Sequence, residues 1–287
     1  MEDTGHIKSL IKAMSLIQCF SPTEPEFGVN DICNKLGLPK ATVYRLLGTL
    51  IYGRFLEKNE ETGKYRIGPV LYMLGSLYLS TTDILSAAQS VTRALNDITG
   101  EAVNMSIIDG AYSTIVLKEE TKYRFRWGIH IGHSTLAYSS SMGKALLSEL
   151  SDEEIDKLYP EENLKKITPK TVATKTELKL DLEKIRKTGF AYIVEGDIPG
   201  ISGVATIIRD SKGKAAAAMS FSFPRFRVNK ARRDILIKLI KKGASLVSYR
   251  LGYRDSNNPV CDIDELISWW EQYQSRSSER FAEDKIS

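Results

Sequence analysis

Val29-Asn30-Asp31-Ile32-Cys33-Asn34-Lys35-Leu36-Gly37-Leu38-Pro39-Lys40-Ala41-Thr42-Val43-Tyr44-Arg45-Leu46-Leu47 holds two short helical patterns separated by one glycine. The first runs from about Val29 to Leu36, with Gly28 or Asn30 near its start. Gly37 stands where helices end in the left-handed conformation, which glycine adopts without a Cβ penalty. Pro39 suits the first turn of the next helix, Lys40 to Ile51, because its missing N–H would be unpaired there anyway. Within that helix Val43, Leu46, Leu47 and Leu50 fall at i, i+3, i+4 and i+7, so one stripe faces a core. Lys40, Ala41, Thr42, Tyr44, Arg45 and Thr49 face outward.

On the N-terminal side, Ile7, Leu10, Ile11, Met14, Ile17 and Cys19 recur at steps of three and four, with Phe20 closing the run, and predict an amphipathic helix. Ser21-Pro22-Thr23-Glu24-Pro25 breaks it. On the C-terminal side, Arg54 to Lys58 and Lys64 to Ile67 read as two short strands joined by the polar loop 59–63, a candidate wing. A helix with small or polar residues at its start, and with Arg45 able to reach a guanine edge or a phosphate, suits the DNA major groove. The rival reading is a folding unit for protein contacts only.

Charge sums do not separate the two. The chain of 287 residues has a net charge of +4, and up to Gly68 nine basic residues face eight acidic ones. Placement does: Lys40, Arg45, Arg54, Lys64 and Arg66 lie on the second helix and the wing, where phosphates would run.

The run Val29 to Leu47, with Gly-Leu-Pro-Lys followed by Thr-Val-x-Arg-Leu-Leu, closely resembles the helix-turn-helix signature of the isocitrate lyase regulator (IclR) family. The resemblance continues through Gly63-Lys64-Tyr65-Arg66-Ile67-Gly68 and into Ser140-Ser141-Met142-Gly143-Lys144-Ala145-Leu146-Leu147, covering roughly Ile7 to Tyr253. It implies a winged helix-turn-helix on a double-stranded DNA operator and a GAF-like effector domain. It also implies a homodimer or homotetramer whose promoter binding, as repressor or activator, responds to a small organic ligand such as an organic acid or aromatic compound.

Composition, 42% hydrophobic and 26% charged, is that of a globular chain long enough for two domains. No apolar run is long enough for a membrane span and Met1 to Lys8 is no signal peptide, so the expected compartment is the cytoplasm. Cys19, Cys33 and Cys261 form no CxxC pair and read as buried, inert thiols. The expected organisation is a DNA-binding domain at 1–69, a linker helix at 70–83, an effector domain at 84–254 and an extension at 255–287. Val70 to Leu79 is apolar almost all round and predicts either a dimer contact or packing on its own domain. Two copies would set their recognition helices about 34 Å apart.

Beyond Gly100, Val103 to Ile108 and Tyr112 to Lys118 flank the turn dipeptide Asp109-Gly110. Helical patterns follow at Met142 to Glu149, Glu153 to Leu158 and Glu177 to Thr188. Strands at Phe190 to Val194, Gly203 to Ile208 and Ala215 to Phe223 come next, then a helix from Asn229 to Leu251 and another from Asp262 to Tyr273. This order predicts α+β, an antiparallel sheet with helices to one side.

The family resemblance places the ligand site at Ser139, Ser140, Ser141, Met142 and Gly143, at Ile193 to Glu195, at Gly203, and at Ser220 with Ser222. Ser220 and Ser222, two apart on a strand, project to one face and can offer hydroxyls to the same carboxylate or carbonyl, or be satisfied by nearby backbone. Relatives that take small oxoacids tend to have an acid where Ile193 stands and a cysteine where Gly203 stands. With Phe125, Trp127, Ile193 and Met142 as candidate walls, a more apolar or aromatic ligand is expected. His130 and His133 lie in a glycine-containing loop, poor ground for a metal site. Gly196 to Gly203 lacks the Lys-Ser or Lys-Thr of a phosphate loop and reads as a loop over the pocket. The basic run on the long helix near the C-terminus reads as a solvated face or an auxiliary contact. No cofactor is expected, and no hydrolase elbow or paired carboxylates suggest an enzyme.

Overall fold

The computed structural model describes residues 6–21, 23–80, 84–254 and 262–283. Pro22, the Thr81-Thr82-Asp83 break, Asn257 to Pro259 and Cys261 lie outside the described residues. The chain divides into two compact units, residues 1–82 and 83–287.

The first unit comprises helices α1 (Lys8–Ile17), α2 (Val29–Leu36), α3 (Lys40–Tyr52) and α4 (Pro69–Ser80), with strands β1 (Glu26–Phe27), β2 (Leu56–Lys58) and β3 (Tyr65–Ile67). Gly37 ends α2 at φ 63° and its N–H bonds to the Cys33 carbonyl. Asp31 accepts the Gly28 N–H at 2.9 Å, satisfying one donor at the head of α2. Val43, Leu47 and Leu50 are buried on α3 against Leu16, Ile32, Phe27 and Leu56. The wing has a third strand that the sequence hides, since β1 pairs with β3 over only two residues, Glu26 with Arg66 and Phe27 with Tyr65.

α1 is the amphipathic helix expected, and much of its apolar stripe is exposed on this unit. Ile7, Leu10, Ile11 and Met14 are 67%, 56%, 47% and 52% exposed, while Leu16 is buried and Ala13 and Ile17 pack beside it. Period alone identifies an apolar face, not what covers it. Cys19 and Cys33 are half-buried and not buried outright, and burial raises the Cys19 thiol pKa.

The second unit holds α5 (Ile84–Thr99), β4 (Ala102–Asp109), β5 (Tyr112–Glu119), β6 (Ser134–Leu136), α6 (Ser141–Leu147), α7 (Asp152–Leu158) and α8 (Lys175–Thr188). β7 (Ala191–Val194), β8 (Ile201–Arg209), β9 (Ala215–Pro224), α9 (Lys230–Arg250) and α10 (Ile263–Glu283) complete it. Six antiparallel strands run in the order β6-β5-β4-β9-β8-β7. The fold is α+β, with one difference from expectation: helices cover both sheet faces. Val103, Met105, Val204, Met219, Phe221 and Phe223 meet α5, α9 and α10 on one face. Ile115, Ala191, Ala205 and Ala218 meet α6, α7 and α8 on the other. Alanines let α6 lie close to the sheet, and their lack of bulk is why the sequence does not advertise a second buried face.

α10 packs on α5 and α9 and buries Leu266 and Trp270. The basic run is engaged and not merely solvated. Arg227 and Arg232 pair with Glu101, which is fully buried, and Arg250 donates to the Ala87 carbonyl and the Ser90 hydroxyl.

Candidate nucleic-acid interface and ligand cavity

The outward face of α3 presents Lys40, Ala41, Tyr44, Arg45 and Thr49 as exposed residues, with Thr42 half-buried at the first turn. Thr49 Oγ1 donates to the Arg45 carbonyl at 2.9 Å, so that hydroxyl is already in use. Tyr52, at the end of α3, is 91% exposed and extends this face beyond the residues singled out by sequence.

On the wing, Asn59 Oδ1 accepts the backbone N–H groups of Glu61 and Thr62, and Gly63 takes φ 67°, which fixes the loop that carries Lys64. Arg66 is committed within the wing: it donates to Glu57 at 2.6 Å and lies 3.9 Å from Glu26. Among the described residues, Lys40, Arg45 and Lys64 form no salt bridge, although Lys64 lies near enough to Glu26 to help lower its pKa.

The second unit contains a cavity of about 60 Å³ on the α6 side of the sheet. Its back wall is one rung of the sheet, where Ile193 on β7 stands opposite Gly203 on β8, which stands opposite Ser222 on β9. Asn104 on β4 closes the rung by donating to Ser222 Oγ at 3.1 Å. Ser139, Ser140, Ser141 and Met142 approach from the turn into α6 and line the opposite wall. Ser140 Oγ caps the helix by accepting the Gly143 N–H at 3.0 Å.

Seven of the sequence-predicted positions line this cavity: Ser139, Ser140, Ser141, Met142, Ile193, Gly203 and Ser222. Gly143, Glu195 and Ser220 do not. A Cβ at Gly143 would lie 2.1 Å from the Ala137 carbonyl oxygen, so that position lets α6 touch the preceding turn. Ser220 is fully buried on the same strand face, its hydroxyl unpaired among the described residues.

Glu195, at φ 54°, accepts the Gly200 N–H at 3.2 Å and pairs with Arg225 at 3.0 Å. The Gly200 bond, then Arg225, holds its carboxyl below the usual pKa. It therefore shapes the turn 195–200. Thr168 Oγ1 and Thr171 Oγ1 donate to the Glu195 and Gly196 carbonyls at 2.5 and 2.6 Å and tie the same turn down. Phe125 and Trp127 are not in the wall; Phe125 packs edge-on against Phe226 at 6.3 Å.

Sequence reasoning missed Asn104, Ser113 and Thr135, and it missed His133 as a wall residue; the stretch Gly196 to Gly203, read as a loop over the pocket, does border the cavity and brings Asp197 to it, although its last three residues belong to β8. Asp197 Oδ1 accepts from Thr135 Oγ1 at 2.6 Å and from Ser139 Oγ at 3.3 Å. Thr135 sits on β6, in the stretch read as loop, where three residues offer too little alternation to signal a strand. His133 lies edge-on to His130 at 5.6 Å.

The chain matches the IclR helix-turn-helix domain over residues 9–60 and the bacterial transcriptional regulator IclR C-terminal domain over residues 76–249. The chain belongs to the IclR family. It is 28% identical to the transcriptional repressor IclR of Escherichia coli over 251 residues, which is 87% of this chain and 92% of that protein. It is 29% identical to the repressor AllR of Escherichia coli over 247 residues, 86% of this chain and 91% of that one. Among solved structures, the Thermotoga maritima IclR aligns with TM-score 0.67 at 26% identity over 86% of this chain and all of that one. An IclR homologue from Microbacterium hydrocarbonoxydans, solved with 4-hydroxybenzoate, shares the fold with TM-score 0.74 at 18% identity over 85% of this chain and 99% of that one. This IclR-family chain is thus a DNA-binding transcriptional regulator. Among the described residues no helix is long and apolar enough to cross a membrane.

Proposed function

We propose that this regulator reads an operator with Lys40, Ala41, Thr42, Tyr44 and Arg45 on α3, that Lys64 on the wing grips the flanking backbone, and that binding responds to a small organic molecule in the cavity beside α6. The observation that carries this reading is that Lys40, Arg45 and Lys64 form no salt bridge among the described residues. Three cations without a salt bridge on one helix and its wing, Lys64 being only near Glu26, suit phosphate and base contacts. Arg66, already paired, contributes less, and Thr49 serves the helix. Repression is the proposed sign, by analogy with the IclR and AllR repressors.

The protein acts as a homodimer in this reading. Tyr72, Met73 and Leu74 on α4 are 78%, 60% and 50% exposed, and the exposed stripe of α1 adds to them, a combination that a partner copy would cover. The functional segments are then the head at 1–69, the linker at 70–83, the sensing domain at 84–254 and the extension at 255–287.

The test is fluorescence anisotropy with DNA from the region upstream of the regulator's own gene, across a salt series. Specific binding is expected to weaken with a log–log slope of about −0.9 per phosphate contacted. Binding that does not discriminate this DNA from a scrambled duplex, or that ignores salt, refutes the proposal.

A further inference from the structure

The cavity's fixed polar groups differ in kind from its adaptable ones. Serine and threonine hydroxyls turn to donate or accept, so they do not decide the sign of charge a ligand must carry. Asp197 and Asn104 do. Among the described residues Asp197 is the one carboxylate in the cavity wall, and no lysine or arginine lines it. One of its oxygens takes the Thr135 and Ser139 hydroxyls; the other accepts nothing from any described residue. Asn104 is 1% exposed, gives its amide N–H to Ser222, and leaves Oδ1 unpaired among the described residues.

Asn104 Oδ1, which is buried, and the second oxygen of the half-buried Asp197 are thus acceptors without donors among the described residues, and such acceptors gain from a ligand that brings hydrogen-bond donors. An anionic ligand meets the opposite situation. A carboxylate would sit beside the Asp197 carboxylate with no Lys or Arg to offset it, and like charges at close range in a partly dry site repel strongly. The start of α6 does not compensate, because that helix has only seven residues and its Gly143 N–H is already taken by Ser140.

Resting on the reading of this cavity as the effector site, we propose that it selects a small uncharged polyol or sugar over the corresponding carboxylic acid, and that Asp197 is the residue that sets this preference. Ligand hydroxyls would donate to Asp197 and Asn104 and exchange hydrogen bonds with Ser222, while Ile193 and Met142 cover the carbon skeleton. Asp197 sits inside the turn that Glu195, Thr168 and Thr171 hold, so its carboxylate is presented by a fixed backbone.

The test is calorimetric titration of the full chain at neutral pH with matched pairs: glycerol and glycerate, erythritol and erythronate, xylose and xylonate. At least one neutral member is expected to bind about a hundredfold more tightly than its acid. Asp197→Asn, which keeps the shape and removes the charge, is expected to bring the pair within about tenfold; Asp197→Ser serves if the first variant melts below the wild type. Ser222→Ala should weaken the neutral ligand in either background. An acid that binds as tightly as its neutral partner, with Ser222→Ala weakening it, overturns this inference and leaves the effector cavity standing. Binding of no probe in a Ser222-dependent way overturns the cavity assignment along with it.

Discussion

Gly143→Ala should destabilise the second unit, even though alanine is the better helix former. Gly143 lies in the first turn of α6, where replacing glycine by alanine normally gains up to about 1 kcal/mol in propensity. Here the added Cβ would lie 2.1 Å from the Ala137 carbonyl oxygen and 2.5 Å from the Ala137 Cα. Relief requires about 1 Å of movement, and the neighbour is backbone, which cannot swing aside as a side-chain tip does. Ala137 is fully buried and Ser139 is 1% exposed, so the turn has no solvent to move into. Overpacking of this kind costs about 1–3 kcal/mol, and more where both parties are main chain. The steric term outweighs propensity and leaves a net loss of about 1–3 kcal/mol. For a unit of this size that lowers Tm by roughly 3–10 °C.

Gly48→Ala is the matched control: it lies inside α3, exposed, with nothing within 4 Å of the added Cβ. It should raise stability by up to about 1 kcal/mol. Scanning calorimetry of both variants decides the matter. If Gly143→Ala melts at or above the wild-type temperature, α6 does not rest on the 137–139 turn, and the cavity wall built from Ser139 to Met142 is misdrawn.

Arg45→Ala should weaken operator binding by about 1–3 kcal/mol, whereas Arg66→Ala, already ion-paired at the surface, should cost under about 1 kcal/mol; anisotropy at two salt concentrations separates them, and equal losses would refute the assignment. Lys144 is 5% exposed and its pKa is lowered, chiefly by burial, with Asp181 at 2.7 Å partly offsetting. In the alkaline range below 10.5 the unfolded chain therefore binds more protons, so stability rises with pH there, and Lys144→Met should flatten that rise in urea titrations. Tyr159, its phenol pKa pushed up by burial, acts in the opposite sense above pH 10, where the unfolded chain ionises first and stability falls. Trp270→Ala should cost about 3–5 kcal/mol at most, less if α10 simply undocks, and limited proteolysis should then release α10; unchanged resistance would show that Trp270 does not anchor it.

The DNA-binding head was legible because its signals are local. Gly37, Pro39 and the stripe of Val43, Leu47 and Leu50 fix a turn and a helix within twenty residues, and nothing distant has to agree. What covers α1 was not legible for the complementary reason: Leu16, not Ile7 or Leu10, faces the core, a choice made by where α2 and α3 lie. The cavity depends on pairing across the whole second unit. Asn104 meets Ser222 across 118 positions and Thr135 meets Asp197 across 62, and neither partner carries a pattern that points to the other. Family resemblance located Ile193, Gly203 and Ser222, which fall in one rung, but carried no information about Asp197.

β9 shows how one strand serves two demands that sequence alone tends to merge. Met219, Phe221 and Phe223 pack towards α5 and α9, while Ala218, Ser220 and Ser222 face α6 and the cavity. Because side chains alternate strictly, a slip of one residue would drive three large apolar groups into the space beside α6 and strand serines among leucines. The register is thus held by the apolar parity, and the polar parity is free to vary in chemistry without loosening the sheet. That freedom explains why the cavity can depart from the oxoacid pattern at Gly203 while the fold stays that of the family. A Cβ at Gly203 would meet Ser141 Oγ at 2.7 Å, the movable tip of a side chain and not backbone. Gly203→Cys should therefore leave stability within about 1 kcal/mol of wild type while displacing Ser141 and changing ligand affinity. A collapse of stability in that variant would mean that the cavity parity, too, holds the sheet together.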